Sequence, residues 1–184
     1  TKFILIVCAT GDLAENLLED LNNILGSPNM EAVYGTWSTA LSIDNKMQKR
    51  AWYHGRAVNL IAKGAGAALR GINVDNERPE VIFCDDMQTR ENDESETESA
   101  SLLRWFIATL IKVLAPRGSR LIIYVGNMYS ENCILKKLSD NPAWISPIII
   151  NSTIEFIDKH LALGQKVLVH CNQGQSRSAG IGLL

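Results

Sequence analysis

The residues best suited to chemistry fall between Val167 and Ser178 of this 184-residue sequence. Val167, Leu168 and Val169 predict a short buried strand. His170 and Cys171 follow, then Asn172, Gln173, Gly174, Gln175 and Ser176, then Arg177 and Ser178. That spacing suits a thiolate that attacks a phosphate ester. The residues between Cys171 and Arg177 can wrap one phosphate with their backbone N–H groups. Such a nest at the start of a helix also lowers the pKa of a thiol. Arg177 can clamp two phosphate oxygens in a bidentate fork. Gly174 lets the loop turn where a Cβ would obstruct it. Ser178 can hydrogen-bond the sulfur as it leaves. The plainer reading is a structural cysteine at a strand end beside an unrelated arginine.

A second constellation lies upstream. Residues 79–86 form an apolar stretch that ends in Asp85 and Asp86. At the end of a buried strand, the first acid of such a pair can hold Mg²⁺ through water. The second can polarise an attacking water. A turn also favours Asp at these positions with no chemistry implied. Around the pair stand Lys63-Gly-Ala-Gly66, Arg70-Gly71, Arg78-Pro79 and an apolar stretch that ends in Gly126-Asn127. No segment matches the phosphate-cradling pattern G-x-x-x-x-G-K-[ST].

Several elements must position these residues. Residues 2–9 read as a strand apolar on both faces. Asp12 is the expected N-cap of the next helix, with Glu15 reaching back to it. Leu13, Leu17, Leu21 and Ile24 form its expected core face, and Gly26 ends it. Residues 26–49 read as mostly loop. Strands are expected over 57–62, 81–84 and 120–125. The acidic stretch 89–99 reads as a solvated loop and helix start. A helix follows on Leu103, Phe106, Ile107, Leu110, Ile111 and Leu114, and ends before Pro116. Residues 131–138 predict a short helix. Ser146 and Pro147 then cap a helix with Ile150, Ile154, Ile157 and Leu161 on its core face. Alternating strands and helices predict an α/β fold, a largely parallel sheet with flanking helices.

The totals set outer bounds. The chain is long enough for one large domain or two small ones. A net charge of −2 gives no global electrostatic case for nucleic acid. Cys8, Cys84, Cys133 and Cys171 lack metal-ligand spacing and are too sparse for a disulfide scaffold, which points to a reducing compartment. No apolar run is long enough to span a membrane. The start at Thr1 and the stop at Leu184 in an apolar run lead us to expect a piece of a longer chain.

Residues 140–184 resemble the signature region of cysteine-dependent protein phosphatases, the dual-specificity group in particular. The resemblance implies a helix–strand–loop–helix with Cys171 as nucleophile, Arg177 as phosphate clamp and no metal. His170 and Ser178 would flank the nucleophile, and residues 172–176 would bind the substrate phosphate. Asp140, one helix and one strand before Cys171, would be the general acid; it reads equally as the Asx turn before Pro142. Residues 1–146 resemble the ATPase domain of bacteriophage terminase large subunits, the motors that package viral DNA, and residues 1–139 are the expected ATPase-like domain, with 140–184 as the phosphatase-like one. That resemblance implies Asp85 as the Mg²⁺-side acid, Asp86 as the water-activating acid, Asn127 in the coupling motif and Arg70 in an Arg-Gly element. Many members of that family have Glu where Asp86 stands.

The two resemblances overlap at residues 140–146, which reads as a join between unrelated sequences. The leading expectation is a phosphatase element that hydrolyses phosphate monoesters of a phosphorylated protein or small molecule. It would pass through a phosphocysteine and need no cofactor. The alternative is a DNA-packaging ATPase fragment that uses Mg²⁺ and ATP, with viral DNA, portal and small terminase subunit as partners. A non-catalytic phosphate-binding module is the third reading. In each case the expected setting is the cytoplasm of a bacterial host or a similar reducing compartment, away from any membrane.

Overall fold

A computed structural model describes residues 2–116, 121–140 and Lys159. The chain divides into two compact units, Thr1–Leu135 and Lys136–Leu184. The first is built on a six-stranded mixed sheet in the order β2-β3-β4-β1-β5-β6. Strand β1 (Lys2–Cys8) lies between β4 (Arg56–Gly64) and β5 (Val81–Asp85), parallel to both. Strand β6 (Leu121–Val125) pairs parallel with β5. Strands β2 (Leu41–Asn45) and β3 (Gln48–Tyr53) add an antiparallel hairpin outside β4. The sheet is therefore mostly parallel, as the alternating pattern predicts, with an antiparallel end that the pattern does not predict.

Helix α1 (Gly11–Leu25) covers one face of the sheet. Its N-cap is Thr10, not Asp12: the Thr10 hydroxyl accepts from Leu13 N at 3.3 Å. The core face is also rotated from the expected one. Ala14 and Leu18 are buried, whereas Leu13 and Ile24 are 51% and 53% exposed. A small residue faces the sheet because the helix packs closely on it, and size alone misdirects the sequence reading toward the leucines. Ala14 and Leu18 join Ile6, Cys8, Ala51, Leu60, Ala62 and Trp37 in one apolar cluster.

Residues 26–49 are not mostly loop. They contain α2 (Pro28–Tyr34), a short 3₁₀ turn, β2 and the start of β3. Trp37 in this stretch is almost fully buried and donates from Nε1 to Asn22 Oδ1 at 2.9 Å. The missed hairpin turns on Asn45, whose Oδ1 accepts from Met47 N at 3.0 Å and Gln48 N at 2.9 Å. The β3–β4 turn is His54-Gly55, both at positive φ (47° and 71°), as a tight hairpin turn demands.

The other face carries Phe3, Leu5, Val7, Ile82 and Cys84, all buried. Helix α3 (Arg90–Glu94) and helix α4 (Glu96–Trp105) follow β5. Beyond Trp105 the helix changes character. Phe106–Leu110 is π-helical, with Ile111 N donating to Phe106 O, and Ile111–Val113 is 3₁₀. Phe106 and Leu110 stay buried, but Ile107 of the expected face is 39% exposed, because the wider turn breaks the 3.6-residue stripe. The acidic stretch 89–99 is not simply solvated: it forms α3 and the start of α4, and Asp93 and Ser99 are fully buried. Helix α5 (Ile134–Ser139) ends the described elements. Among the described residues no helix is long and apolar enough to cross a membrane.

One buried charge anchors the hairpin. Lys49 on β3 is 3% exposed, and its Nζ donates to Glu19 Oε2 of α1 at 2.7 Å and to Asp44 of β2. Burial pulls this ammonium toward neutrality, but the two carboxylates outweigh it and hold its pKa above the usual value. The partners are half in water and Lys49 is not, so the two sides of the pair are not equivalent. Removing both carboxylates (Glu19→Ala with Asp44→Ala) leaves an unpaired buried cation and should cost about 3–5 kcal/mol. Lys49→Met leaves two carboxylates free to hydrate and should cost less than half of that. Urea denaturation of the two variants measures the asymmetry.

Candidate functional site

Strands β4, β1, β5 and β6 run parallel, so their carboxyl ends gather on one edge of the sheet. Open α/β sheets bind ligands at this edge. The ends meet tightly. Ala65 N donates to Cys8 O at 2.8 Å. A Cβ on Gly64 would lie 2.6 Å from Gly11 N and 2.9 Å from the carbonyl carbon of Thr10, so only glycine fits between β4 and the start of α1. A cavity of about 390 Å³ opens beside them, lined by Ala9, Ala65, Gly66, Met87, Ser101 and Trp105 among others.

Asp85 is the last residue of β5, and Asp86 follows it at φ 40°. Both are half-buried. The left-handed turn lets Asp86 N donate to Val125 O at 2.9 Å, which ties the pair to the end of β6. A Cβ on Gly126 would come within 3.7 Å of Asp86 Oδ1 and 3.1 Å of Tyr124 Cε1. Gly126 therefore leaves room next to the acid. The next turn is fixed by Gln88, which is buried. It donates from Nε2 to Ser99 Oγ at 3.0 Å and accepts from Ile134 N at 2.8 Å.

The pair reaches into its surroundings electrostatically. Burial, then Asp85, then Asp86 push the Cys8 thiol up to about 12. Burial, then Cys8, push Cys84 to about 12 as well. Cys8, Cys84 and Cys133 are all free and buried. Cys8 and Cys84 thus stay protonated and act as packing groups, not as nucleophiles. Burial raises the Tyr124 hydroxyl too, followed by Cys84, Cys133, Asp86 and Asp93.

Asp93 is the site residue that the sequence reading missed. It is 0% exposed, and neither carboxylate oxygen has a hydrogen-bond partner among the described residues. The available signal is the N-cap Thr89, whose Oγ1 accepts from Asn92 N at 3.2 Å. A helix starting there turns Asp93 inward, whereas a solvated acidic loop would leave it in water.

The other expected residues fall elsewhere. The Asn127 side chain donates to the Tyr129 hydroxyl at 3.2 Å. Arg70 is exposed and lines a different cavity, beside Arg78 and Lys112. Asp140 is exposed and accepts from Lys136 Nζ at 2.7 and 2.8 Å, one helical turn back. Residues 170–178, with Cys171, Arg177 and the rest of the expected phosphate loop, lie outside the described residues, as do the expected strand 167–169 and, apart from the helical Lys159, the expected helix from Ser146. Among the described residues no group of three His, Cys, Asp or Glu side chains could hold a metal. Mg²⁺ commonly takes one or two carboxylates and completes its shell with water and substrate phosphate. Asp85 and Asp86 supply carboxylates of that number at one strand end.

The thiols make stability fall at alkaline pH. In the folded chain Cys8 and Cys84 ionise near 12, against an ordinary value of 9.0. Their contribution is intact below the ordinary value and is lost as pH rises from there toward 12, because only the unfolded chain releases the protons. Each thiol should steepen the loss by about 1.4 kcal/mol per pH unit. Urea titrations across that window should show Cys8→Ala with a shallower decline than the parent chain.

No protein-family model matches the chain, and no curated protein matches it.

Proposed function

We propose that the first unit is the nucleotide-hydrolysing part of a terminase-like DNA-packaging motor. The observation that carries this reading is the acid pair at the carboxyl end of β5, bonded to the end of β6 just before Gly126-Asn127. A bound Mg²⁺ would supply charge neutralisation on the phosphates. Asp85, half-buried at the strand end, would hold the metal side. Asp86, steered by its left-handed backbone toward the neighbouring strand end, would orient and polarise the attacking water. Gly126 leaves the space that this water needs. The crevice against α4 would keep bulk solvent from the phosphates.

These 184 residues contain no Gly-rich Lys-Ser/Thr segment, so Mg²⁺-ATP should bind only in the millimolar range. Asp85→Asn should weaken that binding by roughly 10-fold. Asp86→Asn should leave binding unchanged and abolish any hydrolysis. Mn²⁺ relaxation measurements with ATP, and phosphate release, read the two effects. Equal affinity with and without the divalent ion, or no effect of Asp85→Asn, would refute the assignment.

A second reading rests on a separate observation, the run His170-Cys171 through Arg177-Ser178. A phosphatase built on it would attack phosphorus with Cys171, bind the equatorial oxygens with Arg177 and pass through a phosphocysteine. Asp140 would protonate the leaving oxygen. Release of phosphate from an aryl phosphate in EDTA should then vanish in Cys171→Ser with folding unchanged. Activity that survives the substitution would exclude this mechanism.

A further inference from the structure

Arg70, Arg78 and Lys112 converge on one cavity of about 380 Å³. It lies between the turn that carries Arg70 and the irregular end of the α4 helix. None of its lining residues is acidic. Among the described residues none of the three cations has an ion-pair partner, although Asp75 nearby in sequence is taken by Arg50. Three cations that share one concavity, each without a counter-ion, form a site waiting for an anion.

The backbone builds this arrangement on purpose-shaped pieces. Gly71 at φ 79° closes a turn in which Ile72 N donates to Leu69 O at 3.3 Å, and that turn presents Arg70. The opposite wall includes Ala108 and Thr109 of the π-helical segment, and then Lys112 and Val113 of the 3₁₀ turn. The end of a helix would by itself repel an anion. Here Arg78 Nη1 donates to Lys112 O at 3.3 Å, which covers that carbonyl and fixes the guanidinium at the rim. The rest of the wall mixes apolar Ile72, Ala108 and Val113 with polar Asn73 and Thr109. The volume is that of a small-molecule pocket.

We propose that this cavity binds a small organic phosphate, its phosphate held by Arg70, Arg78 and Lys112 and its carbon body against Ile72 and Val113. The mixed wall argues against a bare inorganic ion, which would use only the cationic rim. A polynucleotide would need a basic stripe to follow its backbone, and this chain has a net charge of −2 with the three cations drawn into one hollow. The site stands apart from the acid pair. Arg78 precedes the amino end of β5, and Asp85 closes the other end, about 13 Å away along the strand.

The experiment titrates the whole chain with phenylphosphonate, which hydrolysis cannot consume, and with inorganic phosphate and a short DNA duplex in parallel. Phenylphosphonate should bind at least about tenfold more tightly than inorganic phosphate, and Arg70→Glu with Lys112→Glu should abolish its binding. Both side chains are exposed, so the double variant should melt as the parent does. Arg78→Gln should weaken binding without reversing charge. Cys171→Ser and Asp85→Asn should leave the titration unchanged, which separates this site from both catalytic readings. Unchanged affinity in the double variant overturns the proposal. So does equal affinity for inorganic phosphate, and so does a duplex that binds through these residues while phenylphosphonate does not.

Discussion

Everything described in the first unit depends on strand β1 being hydrogen-bonded along both edges and apolar on both faces. Its partners are β4 and β5, in parallel register from Lys2 to Cys8 on one side and from Ile4 to Val7 on the other. A strand in that position has no route to water for its backbone, so each N–H and C=O must be matched by a neighbour. Parallel neighbours in turn require crossovers, which deliver α1 to one face and the α4 segment to the other. Phe3, Leu5 and Val7 pack on one side, and Ile6 and Cys8 on the other.

The same constraint fixes the chemistry-bearing edge. Parallel strands end together, so Cys8, Gly64, Asp85 and Val125 come into one row. Crowding in that row demands a glycine at 64, and it sets the acid pair beside buried thiols and a half-buried tyrosine. The thiols respond by holding their protons. Carboxylates that crowd a low-dielectric edge carry a cost that a bound cation would relieve. Buried Asp93, without a hydrogen-bond partner among the described residues, adds to that cost.

The opposite end of the sheet follows another logic. There the helix loses its α-helical pitch, first widening and then tightening, over Phe106–Leu110 and Ile111–Val113. Two buried side chains, Phe106 and Leu110, hold the irregular segment to the sheet. Ala108, Thr109 and Lys112 of this segment line one hollow with the turn that bears Arg70.

The sequence alone was sufficient for the strands β1, β4, β5 and β6, because a continuous run of apolar residues has few other stable fates. It was sufficient also for the α/β class and for the position of Asp85 and Asp86 at a strand end. The run from His170 to Ser178 is legible as a pattern, and its arrangement lies beyond the described residues. Only the tertiary structure decided which face of α1 is buried, since Ala14 wins by fitting close to the sheet and not by its own hydrophobicity. Only it turned residues 26–49 into a helix and hairpin, where Trp37 and Lys49 take their places through partners distant in sequence. Only it buried Asp93 and gathered Arg70, Arg78 and Lys112 around one hollow. Local pattern reports what a segment can bury, whereas the position of a charge depends on what the rest of the chain brings beside it.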